Sequence, residues 1–288
     1  MLEEVLSLLA PRQGDVVLDA TLGGGGHSKE ILKKITPGGV LFGCDADPSA
    51  VKRAGEALTD TGGSFRLANI NFRNIGGFLD SEGVKGIDRA LFDVGISSYQ
   101  MDEAERGFSI KNNGPLDMRM DPALKTSAAD IVNRLREEEL SGIIKDLGDE
   151  RFHRKISRAI VDARRGKKIA TTGELAGIIY KAVGRRRGGQ KIDPATRTFQ
   201  ALRIAVNDEL RALEEGLSIA ISRLNRSGRI AVISFHSLED RIVKNKFKAY
   251  SAEGVLRVLT KKPVRPKEEE VSANPRSRSG RLRVAERI

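Results

Sequence analysis

Three aspartates stand at the ends of apolar runs, and the first opens onto a run of glycines. Asp19-Ala20-Thr21-Leu22-Gly23-Gly24-Gly25-Gly26-His27-Ser28 follows Val16-Val17-Leu18 and leads into Lys29-Glu30-Ile31-Leu32, which has a helical pattern. An apolar strand, a glycine turn and a helix start make the first unit of a nucleotide-binding α/β domain. The glycines allow a sharp turn and let a ligand approach main-chain N–H groups closely. The acid decides which ligand. A dinucleotide fingerprint aims amides at a pyrophosphate, which a carboxylate four residues before Gly23 would repel. That carboxylate suits instead the cationic, phosphate-free amino-acid end of S-adenosylmethionine. A merely flexible glycine loop is the alternative.

The second aspartate, Asp45, ends the strand-like run Val40-Leu41-Phe42-Gly43-Cys44, where a carboxylate can accept both ribose hydroxyls of an adenosine. Asp47, before Pro48, reads as a helix cap. Beyond a third strand, Ser64 to Asn69, Phe72 lies either against an adenine ring or in the core. The third aspartate, Asp93, ends the fourth strand and begins Asp93-Val94-Gly95-Ile96-Ser97-Ser98-Tyr99-Gln100. Strand four neighbours strand one in such sheets, so Asp93 and Gln100 are expected to reach the methionine end of the cofactor or the substrate. His236 follows strand five, where it either contacts a base or phosphate or caps a helix.

These groups need a sheet to hold them. Five strand patterns are visible, with helices between the first four. Two later segments, Leu256 to Leu259 and Arg281 to Val284, fit an antiparallel edge, and the stretch Pro263 to Glu270 reads as an exposed loop. Between strands four and five the alternation stops. Ser127-Ala128-Ala129-Asp130 opens a helix with Ile131, Leu135, Leu140, Ile143 and Ile144 as its apolar stripe. Phe152, Ile156, Ile160 and Val161 form the stripe of another, and Thr171 to Glu174 is a second capping box. A long helical pattern from Thr196 to Leu224 then returns the chain to the sheet. The expected fold is α/β: a Rossmann-like sheet domain, 1–104 and 196–288, with an all-helical domain inserted at 105–195.

The net charge is +11, and it is unevenly placed. Residues 105–195 carry 20 basic and 13 acidic side chains, and 261–288 carry nine and four, leaving the rest near neutral. That distribution fits a nucleic-acid footprint on the inserted and C-terminal regions. Arg185-Arg186-Arg187-Gly188-Gly189-Gln190-Lys191 is the clearest phosphate-binding candidate, and Arg197 and Arg203 lie six apart on the following helix. One cysteine and three histidines are too few for a structural zinc site. No apolar run has transmembrane length and the start is not a signal peptide, so a soluble cytoplasmic protein without a membrane partner is expected.

Longer blocks narrow the reading. Asp93-Val94-Gly95-Ile96-Ser97-Ser98, the run Asp102 to Phe108, the run Gly114-Pro115-Leu116-Asp117-Met118-Arg119-Met120-Asp121, the run Ala195 to Arg203, the run Ile233 to Arg241 and Asn274-Pro275-Arg276-Ser277-Arg278 resemble the signature blocks of the RsmH (MraW) family. The resemblance covers nearly the whole chain. It implies a class I S-adenosylmethionine-dependent methyltransferase acting on the exocyclic N4 of a cytidine in small-subunit ribosomal RNA. It further implies cofactor contacts at Gly26, His27, Ser28, Asp45, Phe72, Asp93 and Gln100. Two departures stand out: the opening lacks a His-x-Pro-Val-type segment, and Tyr99 replaces a usual proline before Gln100.

A cytosine amino group is a poor nucleophile because its lone pair is delocalised into the ring. Catalysis must align that lone pair with the sulfonium methyl and accept a proton. Related amino-methylating enzymes use an acid-Pro-Pro-aromatic loop, absent here. With Asp93 engaged by cofactor, Asp117 is the expected acceptor, and Asp93 and His236, with Ser97 and Ser98, are the other candidates. No metal is required. The expected partner is small-subunit ribosomal RNA or the assembled small subunit, with a homodimer left open. Few aromatics and no tryptophan argue for recognition by RNA shape and one extruded cytosine rather than by stacking on several bases. The alternatives are methylation of another nucleic-acid amino group, and a ribosome-assembly factor that holds S-adenosylmethionine structurally. A dehydrogenase using NAD is the remaining option.

Overall fold

The structure is a computed structural model that describes residues 1–184 and 193–288. The basic run Arg185, Arg186, Arg187 and Lys191 lies outside the described residues. Helix α1 (Leu2–Leu9) precedes β1 (Val16–Asp19), α2 (Gly26–Ile35), β2 (Val40–Asp45), α3 (Pro48–Thr59), β3 (Ser64–Asn69), α4 (Ile75–Ser81) and β4 (Ile87–Asp93). The nearly continuous apolar runs of β1, β2 and β4 suit strands covered on both faces by helices. Asp47 caps α3 through the Ser49 N–H, with Pro48 at the first helical position, as its sequence signature requires.

Residues 96–209 form a separate helical unit. It contains α5 (Ser98–Asp102), α6 (Ala128–Arg134), α7 (Glu137–Gly148), α8 (His153–Gly166), α9 (Thr172–Val183) and α10 (Thr196–Asn207). Its own core gathers Leu140, Ile144, Ile156, Ile160, Leu175, Ile179, Phe199 and Leu202. The unit takes in 96–104 and α10, which the sequence pattern had assigned to the sheet domain. Asn207 explains the second addition: its side chain bonds Met118 O and Met120 N, fastening the end of α10 within the helical unit.

The single helix expected from Ser127 onward is two. Arg136 is extended and donates its N–H to Glu139, so α7 starts afresh, with Glu137, Glu138 and Glu139 favourably placed in its first turn. The long pattern from Thr196 is also divided, by Asp208 in a left-handed conformation.

The chain continues through α11 (Glu209–Arg223), β5 (Leu224–Ser234), α12 (Ser237–Ala252), β6 (Leu256–Val258), α13 (Glu268–Ala273) and β7 (Arg281–Arg287). Residues 1–95 and 210–288 make one unit. Among the described residues its strands form one seven-stranded sheet in the order β3-β2-β1-β4-β5-β7-β6, with β7 antiparallel to both of its neighbours. The two late segments therefore form the antiparallel edge, as their sequence suggested. The expected loop at 263–270 differs in that Glu268 already begins α13. Two cores cover the sheet, one around Phe92, Phe247 and Leu217 and the other around Val17, Leu32 and Leu91.

Candidate cofactor site

The carboxyl ends of β1, β2 and β4 lie side by side, because β1 pairs in parallel with both β2 and β4. That places Asp19, Asp45 and Asp93 at one end of the sheet. The glycine turn between β1 and α2 fills the same region. Gly23 and Gly25 have φ of +53° and +79°, which a residue with a Cβ adopts only with strain. Gly25 is also held 3.1 Å, measured from an ideal Cβ, from the backbone of Ala54. Gly25 caps α2, and the N–H groups of Gly26, His27 and Ser28 have no carbonyl one helical turn earlier to bond.

Each acid has a different job. Asp19 is buried and accepts from Ser28 Oγ at 2.6 Å and from Thr21 N at 3.1 Å. Burial pushes its pKa up to about 7. A buried carboxyl so engaged is a brace between β1 and α2, not the open partner for a cationic ligand that its register suggested. Ser28 is correspondingly turned inward, which leaves its main-chain N–H as the group it can offer. Asp45 accepts from Gly23 N through Oδ2 and from Asp47 N through Oδ1, both at 2.9 Å. Each oxygen keeps lone-pair capacity for a further donor, which is what a ribose diol supplies. Desolvation raises the pKa of Asp45 as well.

Asp93 is the most exposed to chemistry. Its N–H donates to Thr21 Oγ1 at 2.6 Å, and its Oδ2 lies 3.5 Å from His27 Nδ1. Asp93 Oδ1 and His27 Nε2 are both buried without a hydrogen-bond partner. Two orphaned polar atoms beside free helix N–H groups are costly unless a ligand answers them. A zwitterionic amino-acid end does so, with a carboxylate for the α2 N-terminus and an ammonium for Asp93, so the residues present fit S-adenosylmethionine. Burial pushes the Asp93 carboxyl up, and the neighbouring His27 counters it. Phe72 packs edge-on against Phe92, with centroids 5.8 Å apart, and is half-buried at the margin of the core.

The other expected site residues are already committed locally. In the helical unit, Gln100 completes the capping box of α5, accepting from Ser97 N at 3.0 Å. Asp117 is gripped bidentately by Arg119, at 2.8 and 2.7 Å. Partial burial pushes the Asp117 carboxyl up, but the Arg119 hydrogen bonds outweigh it and hold it below the usual range, a poor state for accepting a proton. Arg203 pairs bidentately with Glu209 at 2.9 Å, whereas the exposed Arg197 donates to Asp149 O. In the sheet unit, His236 caps α12: Nδ1 accepts from Glu239 N, and Nε2 lies 3.0 Å from Glu239 Oε1. Thr21 was not anticipated as a site residue, although its position two after Asp19 was a usable signal.

The family model described as the MraW methylase family matches residues 1–288. The chain belongs to that family. Curated relatives named "Ribosomal RNA small subunit methyltransferase H" match it throughout. The one from Geotalea uraniireducens is 47% identical over 304 residues, covering 100% of this chain and 97% of the relative. That of Geobacter sulfurreducens is 49% identical over 300 residues, covering 99% and 96%. That of Clostridioides difficile is 44% identical and covers 100% and 97%. In this MraW methylase the sheet, with β7 antiparallel to both neighbours, is Rossmann-like, and S-adenosylmethionine is the methyl donor. Among the described residues no helix is long and apolar enough to cross a membrane.

Proposed function

We propose that this methylase transfers a methyl group to the exocyclic N4 of a cytidine in small-subunit ribosomal RNA. The observation that carries the reading is the pair of orphaned atoms, Asp93 Oδ1 and His27 Nε2, beside the unbonded N-terminus of α2. They lie in a chain that matches small-subunit ribosomal RNA methyltransferases along its whole length. Gly26, His27 and Ser28 offer main-chain N–H groups to the cofactor carboxylate. Asp45 accepts the ribose hydroxyls, and Phe72 borders the adenine. When bound, S-adenosylmethionine supplies an electrophilic sulfonium methyl.

Asp93 is the acceptor best placed by its chemistry. With Oδ1 taken by the cofactor ammonium, the other oxygen, Oδ2, can accept a hydrogen bond from an amino group, which localises the nitrogen lone pair and favours the positive charge that develops there. With S-adenosylmethionine bound, the amino nitrogen would take the methyl from the sulfonium, which would leave as the neutral thioether, and the Asp93 carboxylate would accept the proton that the nitrogen loses. Burial raises the affinity of Asp93 for that proton, and its main chain is fixed by Thr21, so little reorganisation is needed. Asp117 and His236 are read as positioning groups, given their bonds to Arg119 and Glu239. The helical unit, with Arg197, Arg203 and the run from Arg185 to Lys191, is the RNA-recognition element, and either ribosomal RNA or the assembled small subunit is the partner.

Undermodified small subunits methylated in vitro and digested to nucleosides decide the case by mass spectrometry. N4-methylcytidine is expected, and its level should fall on the order of 100-fold or more in Asp93→Ala at saturating cofactor, the size typical of losing a proton acceptor. A methyladenine product would sink the cytosine assignment. Unchanged methylation by an Asp45→Ala protein that no longer binds cofactor would favour a structural role for the ligand.

A further inference from the structure

Phe152 is an aromatic ring that the fold does not bury. Its helical spacing with Ile156, Ile160 and Val161 places it in an apolar stripe, yet only Ile156 and Ile160 are fully covered, and Phe152 is 41% exposed. Among the described residues the other exposed large hydrophobics are Leu2, Tyr99 and Ile288, two of them at chain ends. The main chain that carries the ring is fixed in place. Buried Glu150 accepts from the Phe152 N–H at 2.8 Å, and the Phe152 carbonyl accepts from Lys155 and Ile156 at the start of α8.

Its surroundings are cationic. The Arg151 guanidinium lies 4.6 Å from the ring centroid, within cation–π range. Arg154 and Lys155 are exposed and, among the described residues, have no acidic partner. Arg197 reaches the same segment by donating to Asp149 O at 2.9 Å. Against these, Asp149 is the one exposed carboxylate from 149 to 158, since Glu150 is turned inward. An exposed aromatic face with an arginine over it and cations around it fits a partner that is flat, apolar in its faces and anionic at its edges. An unpaired nucleotide has that chemistry: the base extends the Arg151–Phe152 stack, and the phosphates meet Arg154, Lys155 and Arg197.

We propose that Phe152 is a base-stacking platform for single-stranded RNA. The proposal rests on the RNA-substrate reading above and adds a contact residue to it.

The chain contains no tryptophan, so Phe152→Trp introduces a single reporter. Adding a short single-stranded RNA from the substrate region should quench its emission. In anisotropy titrations with the same RNA, fluorescein-labelled, Phe152→Ala should weaken binding on the order of 10- to 100-fold, the scale of one base–aromatic stack. Phe152→Trp should restore it and Phe152→Leu should not, whereas rescue by leucine would mean that the residue merely packs. Binding of S-adenosylmethionine by calorimetry should be equal in all variants. RNA that binds with full affinity to Phe152→Ala, or without quenching Phe152→Trp, overturns the proposal and leaves the substrate reading intact. A parent protein that binds neither this RNA nor the small ribosomal subunit overturns both.

Discussion

Asp19 shows how one carboxyl can be read correctly by position and wrongly by role. Its place four residues before Gly23 marks the cofactor turn, but the structure buries it against Ser28 and Thr21, where its pKa rises to about 7 from the ordinary 3.8. A raised acid favours the folded state fully below about pH 4, and that contribution is lost as pH rises through 7. Asp19→Asn has no proton to lose. Its melting temperature relative to the parent should therefore climb between pH 5 and pH 8, as measured by calorimetry at several pH values. A pH-independent difference would mean that Asp19 is ionised throughout. The position of Asp45 at the end of β2 was legible because strand, acid and helix cap follow one another in sequence. The partners of Gln100, Asp117 and His236 were harder to foresee. Each is bonded within three residues of itself, and such local bonds compete with any role further away. Phe152 was missed for a related reason: helical periodicity gives a side chain's direction, not what covers it.

At the level of elements, caps decided more than periodicity did. The apolar stripe from Ile131 to Ile144 is continuous on paper, and Arg136 interrupts it because Glu139 bonds back to its N–H. Asp208 does the same between α10 and α11 by adopting φ of +49°. The strands and the antiparallel edge were readable because apolar runs and turn residues are local signals, whereas of the pairing order only the adjacency of β4 to β1 was anticipated. The turn into α2 is the element on which the site depends most. Gly25→Ala would force a side chain into φ of +79° and against Ala54, so a loss of about 1–2 kcal/mol from the backbone alone is expected. In a domain of this size that corresponds to a melting temperature lower by roughly 2–8 °C. S-adenosylmethionine affinity, read by calorimetry, should fall with it. Gly26→Ala, with open space around its Cβ, should leave the melting temperature nearly unchanged.

Across the whole molecule, charge and topology separate two tasks. The excess of seven basic residues lies within 105–195 and that of five within 261–288, whereas the part of the chain that forms the cofactor end of the sheet is close to neutral. RNA affinity should therefore fall steeply with salt, with a log–log slope near −0.7 for each phosphate neutralised on a single strand. S-adenosylmethionine affinity should hardly move. Parallel titrations at rising potassium chloride test both, and equal slopes would show that the separation is illusory.

The helical unit leaves the chain after β4 and rejoins it before β5, two strands that lie side by side in the sheet. The polypeptide thus places its widest sequence gap across a central pairing. An unstructured insertion would impose a large closure entropy on β4–β5 zippering. A helical unit with its own core would lower that cost wherever it forms before the strands pair. Synthesis from the ribosome runs in the same direction: the first four strands emerge, wait for the helices, and receive their remaining neighbours last.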